Sequence, residues 1–292
     1  MTVPTRMLGA PETQGANEPR PHRMGLAQRR AIHAGACLVL PPSATSEALV
    51  GTVRGLVAAA FDGQVEHAHH GRDDAAFFQA LTRARAALDA DAGATRIGRA
   101  LLAELGVTGP GFLVDRIRLR GVAPGGHRAL GTRDAYALHR DTWYANPRAQ
   151  INLWVPLRAV GRLDGLSLFP DLLRWPLRND SERFDHGVFQ AQGGFQSGVP
   201  RSPAAYPRLL GVPPRPAWVP ALPRAGRLLF AGAQLHGPTP HDESETRFSV
   251  DLRFVALSDM RLRRGAPQVD DRSRGDASNA YVAASWDLEV AG

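Results

Sequence analysis

Lysine is absent from this 292-residue chain: all 35 of its Lys/Arg positions are arginine. A chain without lysine forms no Schiff base through a side-chain amine, which excludes pyridoxal chemistry, and it has no P-loop lysine to hold a nucleotide phosphate. Cysteine occurs once, at Cys37. Neither an internal disulfide framework nor a multi-cysteine zinc site can be built from it, and a reducing cytoplasm is the expected compartment. No apolar run reaches the roughly 18 residues a membrane-spanning helix needs. Arg29-Arg30 ahead of "AGACLVL" has the outline of an export signal, but the apolar stretch is too short and His33 interrupts it. Gly35 to Leu40 is therefore read as the first strand.

What is present is a chain 43% hydrophobic, enough to bury a sizeable core in one large domain or two smaller ones. The net charge of +7 favours anionic partners in general. Because the arginines are spread out, with no run of five, a solvated surface is the expectation and a nucleic-acid partner is not.

Residues 1 to about 30 are polar and aperiodic and read as a disordered tail. Ser43 or Thr45 caps a helix running to about Ala60. Asp73 to Ala90 and Thr95 to Leu105 carry apolar residues at helical spacing, with "EHAHHGRDD" as a loop before them. After Gly111 the period changes to two. The strands are then Phe112 to Arg120, Ala135 to Asp141, Gln150 to Leu157, Leu166 to Phe169, Arg227 to Phe230 and Arg247 to Leu257. Helices first and short strands after predict an α+β chain whose second half is a sandwich or jelly roll. Residues 171 to 224, rich in Pro, Gly and aromatics, read as an inserted lid. Further strands are expected in it near Gly187 to Gln192 and Ala217 to Leu222. "AYVAASWDLEV" reads as a terminal strap.

The chemistry concentrates in three places. In "YALHRDTWY" a strand puts His139 and Asp141 on one face and Arg140 on the other. "RLLFAGAQLHGP" ends a second strand in His236. Eleven positions after it, Arg247 and Ser249 share a face of "RFSVDLRFV", with Phe248, Val250, Leu252 and Phe254 opposite. Two histidines and a carboxylate make the facial triad of non-haem Fe(II) oxygenases. An arginine fork with a hydroxyl suits a carboxylate in a dry pocket.

In these motifs the sequence resembles the Fe(II)/2-oxoglutarate-dependent dioxygenases, in particular the phytanoyl-CoA dioxygenase-like group. The likeness spans about Phe112 to Leu257 and includes "QINLWVPLRAVGRLDGLSLFP". The chain departs from it at Pro170 to Leu173, where "PDLL" stands in place of "PGSH". The resemblance implies a single double-stranded β-helix (jelly roll, cupin-like) over 31–292, with flanking N-terminal helices. It implies metal ligands His139, Asp141 and His236, and 2-oxoglutarate anchored by Arg247 with Ser249 assisting. O2 is the co-substrate, and a small organic molecule is hydroxylated, desaturated or cyclised with release of succinate and CO2. Halogenating relatives lack the carboxylate that Asp141 supplies. If the face bearing Gln150, Asn152 and Trp154 points inward, Gln150 or Asn152 bonds the 2-oxoglutarate.

Other readings stay open at this point. A cupin-like metalloprotein that does not use 2-oxoglutarate needs the same three ligands but has no use for Arg247-x-Ser249. A nucleic-acid-binding module would show a clustered basic face. His241 is the rival distal ligand but lacks a preceding strand. The "EHAHH" histidines read as a solvated loop, and Val114, Arg116, Arg118 and Arg120 as a solvated sheet face, the other reading being an inward arginine file that binds an anionic substrate. His127 and His186 stand in no motif.

Overall fold

The computed structural model describes residues 24–128, 136–191, 206–242 and 244–284. The expected tail lies mostly outside them, but its end does not: Leu26–His33 is a helix, α1. Met24 and Ile32 join the core, and the buried Arg29 pairs with Asp259 at 2.6 Å. The polar look of this stretch hid two anchoring apolar residues and one buried ion pair.

Three longer helices follow, α2 (Ala44–Ala60), α3 (Asp74–Ala90) and α4 (Ala92–Glu104). Each begins where a side chain satisfies free amide groups of the first turn. Asp73 and Asp91 accept from the amides of Ala76 and Ala94. Ser43 accepts from the Ser46 amide at 3.1 Å while its own amide donates to Ser46 Oγ at 2.8 Å. Ser43→Ala is expected to cost about 1 kcal/mol of stability, read as a lowered urea midpoint with unchanged slope.

The strands are β1 (Leu38–Leu40), β2 (Gly109–Val114), β3 (Arg118–Val122), β4 (Ile151–Pro156), β5 (Leu166–Phe169), β6 (Arg227–Ala231), β7 (Leu235–Pro238), β8 (Arg247–Ala256) and β9 (Val282–Ala284). Seven form one antiparallel sheet in the order β1-β6-β4-β8-β2-β9, with β3 also on β8. β5 and β7 form a second sheet, widened by single bridges from His139 to His236 and from Leu168 to Trp218. The paired ranks are thus β3-β8-β4-β6 in one layer and His139-β7-β5-Trp218 in the other. The chain alternates between layers: β4 large, β5 and Trp218 small, β6 large, β7 small, β8 large. This is the winding of a jelly roll, as expected.

Alternation on β8 sets the two sides of the large sheet. Phe248, Val250, Leu252 and Phe254 pack with Val50, Val53, Val57, Leu81 and Leu101 under the helices. Residues 247, 249, 251 and 253 take the other face, toward the small sheet.

Local differences from the sequence reading have plain causes. The strand expected over Phe112 to Arg120 divides into β2 and β3, and Asp115 in the break binds Arg118 at 2.6 Å. The strand expected over Ala135 to Asp141 begins outside the described residues; among 136–141 only His139 makes a bridge, and Asp141–Tyr144 is a 3₁₀ turn. Where a strand was expected near Gly187, a short helix, α5 (His186–Ala191), forms. The Asp185 carboxylate accepts from the amides of Gly187 and Val188 and so starts its first turn. Trp218 and Leu222 do pair, each by one bridge. The terminal strap is β9 on β2 as far as Ala284. No helix among the described residues is long and apolar enough to cross a membrane.

Candidate metal centre

The paired bridge between His139 and His236, with both amide-to-carbonyl distances 2.9 Å, brings the imidazoles side by side, centroids 4.5 Å apart. Each ring uses Nδ1 on a backbone carbonyl: Ala137 at 3.0 Å for His139 and Gln234 at 2.9 Å for His236. A carbonyl only accepts, so both rings carry the proton on Nδ1 and keep an Nε2 lone pair free. Both Nε2 atoms turn to Asp141, at 3.8 Å from Oδ1 and 3.9 Å from Oδ2. The Asp141 amide donates to the Gly232 carbonyl at 2.8 Å, which pins the turn. A Cβ at Gly232 would stand 2.8 Å from Gln150 Nε2, so only glycine admits this close approach. The three donor atoms lie within 4.8 Å of one another.

Asp141 is held from behind. Gln150 Nε2 and Asn152 Nδ2 donate to its Oδ2 at 2.8 and 2.6 Å, and Arg253 Nη2 donates to Oδ1 at 3.1 Å. Tyr281, just before β9, donates its hydroxyl to Gln150 Oε1 at 2.6 Å. The amides that the sequence aimed at 2-oxoglutarate therefore face the Asp141 carboxylate. Arg253 and Tyr281 were not anticipated. Continuing the alternation past Ser249 would have put Arg253 on the inner face; nothing local signals Tyr281.

Burial, then the neighbouring His236, pushes His139 down to about 3. Burial also lowers His236, against the pull of Asp141. Asp141 is raised by burial, but Arg253 and the two imidazoles outweigh this and hold it well below the usual carboxylate range. The folded state thus presents two neutral imidazoles and one carboxylate, the protonation a divalent cation requires. His241 is also lowered, to about 4, by burial and then by Arg247. Histidines whose folded pKa is depressed bind fewer protons folded than unfolded. Stability is then complete above about pH 6.5 and falls as the pH drops toward the folded values. For metal-free protein, a loss on the order of 2 to 4 kcal/mol is expected between pH 7 and 5, measured by urea denaturation at the two pH values.

Arg247 lies on the same inner face of β8 as Arg253, six residues away, and is 1% exposed. Its Nη1 donates to the Asp164 carbonyl at 3.2 Å and to the Gly165 carbonyl, and its guanidinium stands 5.7 Å from the Trp154 ring centre. Among the described residues it makes no ion pair. Its Nε and the neighbouring Ser249 Oγ are buried without a hydrogen-bond partner. A buried cation with no carboxylate is costly unless an anion joins it. Asn152 and Trp154 alternate along β4 opposite Arg253 and Asp251, and Pro156 stands opposite Ser249, so Arg247 lies beyond Trp154 along the strands from the Asn152–Arg253 pair.

The remaining candidates fall elsewhere. His241 is buried beside Arg247 and is not part of the three-residue group. His69 bonds Thr246 Oγ1 at 2.8 Å, and His67 stacks on His70. Arg118 and Arg120 lie on the inner face and are paired with Asp115 and Asp251, Arg118 largely covered and Arg120 still partly exposed. Arg140, opposite the histidines, donates to the carbonyls of Leu172, Leu173, Trp175 and Ala233 and so fastens the start of the 171–224 segment. A cavity of about 470 Å³ adjoins the centre; Tyr144, Phe184, Phe189, His186, Arg118 and Arg253 line part of it. Tyr144 meets the His139 ring edge-on at 5.4 Å.

No family model matches this chain, and no curated protein does. Solved structures similar to it include the non-haem monooxygenase ThoJ in apo form (15% identity, TM-score 0.44, 78% of this chain and 76% of that one). EvdO2 from Micromonospora carbonacea var. aurantiaca, complexed with 2-oxoglutarate, is 16% identical (TM-score 0.46, 80% and 91%). The non-haem alpha-ketoglutarate-dependent epimerase SnoN from nogalamycin biosynthesis is 15% identical (TM-score 0.40, 79% and 84%).

Proposed function

We propose that the chain is an Fe(II)- and 2-oxoglutarate-dependent oxygenase of a small organic molecule. The convergence of His139 Nε2, His236 Nε2 and the Asp141 carboxylate carries this reading. Two neutral nitrogens and one anionic oxygen suit Fe(II) and leave room for exogenous ligands. Bound iron would supply the redox chemistry by which 2-oxoglutarate and O2 become succinate and CO2 while one oxygen atom enters a substrate C–H bond.

The protein's own residues do the rest. Gln150, Asn152 and Arg253 orient Asp141, and Tyr281 orients Gln150. Arg247 and Ser249 hold the far carboxylate of 2-oxoglutarate, filling the donors now without partners. Tyr144, Phe184 and Phe189 wall the substrate side. The described residues 171–191, which bring Phe184 and Phe189 there, act as a lid that excludes water; residues 192–205 of the expected 171–224 lid lie outside the described residues. Because Asp141 is a carboxylate, the position is taken by an oxygen ligand and not left to a halide. The expected compartment is the cytoplasm.

The test is an anaerobic titration of metal-free protein with ferrous ion and then 2-oxoglutarate, followed by succinate release in air. The reading expects a visible absorption band that requires both additions, and succinate formation. Iron binding with no spectral response to 2-oxoglutarate would move the chain to the cupin-like alternative.

A further inference from the structure

On the side of the molecule formed by α1 and by α6 (Leu257–Arg261) lies a second cleft, of about 510 Å³. Five arginines from four separate stretches line it: Arg30 in the last turn of α1, Arg148 ahead of β4, Arg174, and Arg263 with Arg264 just after α6. The sequence scatters these residues, and only the fold gathers them. Among the described residues none of the five has an ion-pair partner.

The acid in the lining is Asp259, already committed through Oδ2 to Arg29 at 2.6 Å. Its other oxygen, Oδ1, is buried with no hydrogen-bond partner. His33, also in the lining, uses Nε2 on the Ala149 carbonyl.

The rim is a fixed ridge. Arg263 and Arg264 donate their amides to the carbonyls of Met260 and Asp259, and the Ala266 amide donates to the Arg148 carbonyl at 2.9 Å. Gly265, at φ +150°, lets the chain pass where a Cβ would lie 2.5 Å from the Arg148 oxygen. The backbone that carries Arg148, Arg263 and Arg264 is therefore held in place before any ligand arrives, which lowers part of the ordering cost of binding.

We propose that this cleft binds a soluble phosphate ester with more than one phosphoryl group. Planar guanidinium forks match phosphate oxygens two at a time. Several forks from different elements suit a polyphosphate better than a single carboxylate. Pyrophosphate and a nucleoside triphosphate are both ligands of that kind. The cleft's volume lies within the usual range for sites of small ligands. The site shares no residue with the metal centre and stands or falls independently of it.

The test is isothermal titration of the whole protein with sodium pyrophosphate and with ATP, and with adenosine as the uncharged control. Saturable one-to-one binding of pyrophosphate and ATP, none of adenosine, and weaker binding at higher salt are expected. Arg263→Ala/Arg264→Ala, and separately Arg174→Ala, should each weaken ATP by about tenfold or more, the equivalent of one lost charge-assisted hydrogen bond. All three positions are surface side chains, so an unchanged melting temperature serves as the fold control. Undiminished binding in both variants would place the phosphate elsewhere, for example at Arg247, and overturn the proposal. So would no binding at all, or capture only of phosphatidic-acid vesicles or only of duplex DNA.

Discussion

Asp141→Ala is expected to abolish ferrous-ion binding under conditions where the parent chain saturates, and with it the consumption of 2-oxoglutarate. Loss of a residue that merely orients a ligand already costs about 10- to 100-fold in metal affinity, so loss of a ligand itself should exceed that. The substitution has a second effect that separates it from a simple ligand deletion. Asp141 is the anion beside the buried Arg253, and it accepts from Gln150 and Asn152 as well. Removing one partner of a buried ion pair typically costs about 3 to 5 kcal/mol. The metal-free variant should therefore unfold at a clearly lower urea concentration than metal-free parent protein. If iron titrates Asp141→Ala as it does the parent, the ligand assignment fails. If stability is unchanged, Arg253 is not paired as described.

Arg247→Met should give the second large effect, and of a different kind. Iron binding is expected to survive, because Arg247 lies six residues along β8 from Arg253 and touches none of the three ligands. The requirement for 2-oxoglutarate should rise on the order of a hundredfold or more, since a bidentate carboxylate contact supplies two charge-assisted hydrogen bonds. Methionine keeps much of the side-chain volume beside Trp154, so the change in stability should be small by comparison. Steady-state kinetics at varied 2-oxoglutarate, with an iron titration beside them, separate the two effects. An unchanged KM for 2-oxoglutarate would remove Arg247 from the co-substrate site.

Much of this was legible in the sequence because the signals are local. Period-two alternation located β4, β6 and β8 to within a residue or two, a side-chain cap located the start of α2, and helical spacing located α3. The three ligand positions were readable because each ends or follows an apolar run. What escaped detection depends on long-range contact. Arg253 is 112 positions from Asp141, and Tyr281 is 131 from Gln150. Only the folded register brings them together. Helix α1 was missed for a related reason: its polar sequence is anchored by Asp259, 230 positions on from Arg29. The arginine cleft is the same case at the surface, since a linear scan for basic runs sees no cluster there. Arg118 and Arg120 were read as solvent-facing because alternation gives two faces without saying which one is covered.

The guanidinium against Asp141 has a consequence for how this protein acquires its ion. A carboxylate with its own resident counter-charge is the reason to expect this chain to fold without iron, in contrast to small zinc domains that are unstructured without their metal. Loading would then add an ion to a carboxylate that keeps its guanidinium partner, and a chelator should strip the ion from a framework that remains intact and can be refilled.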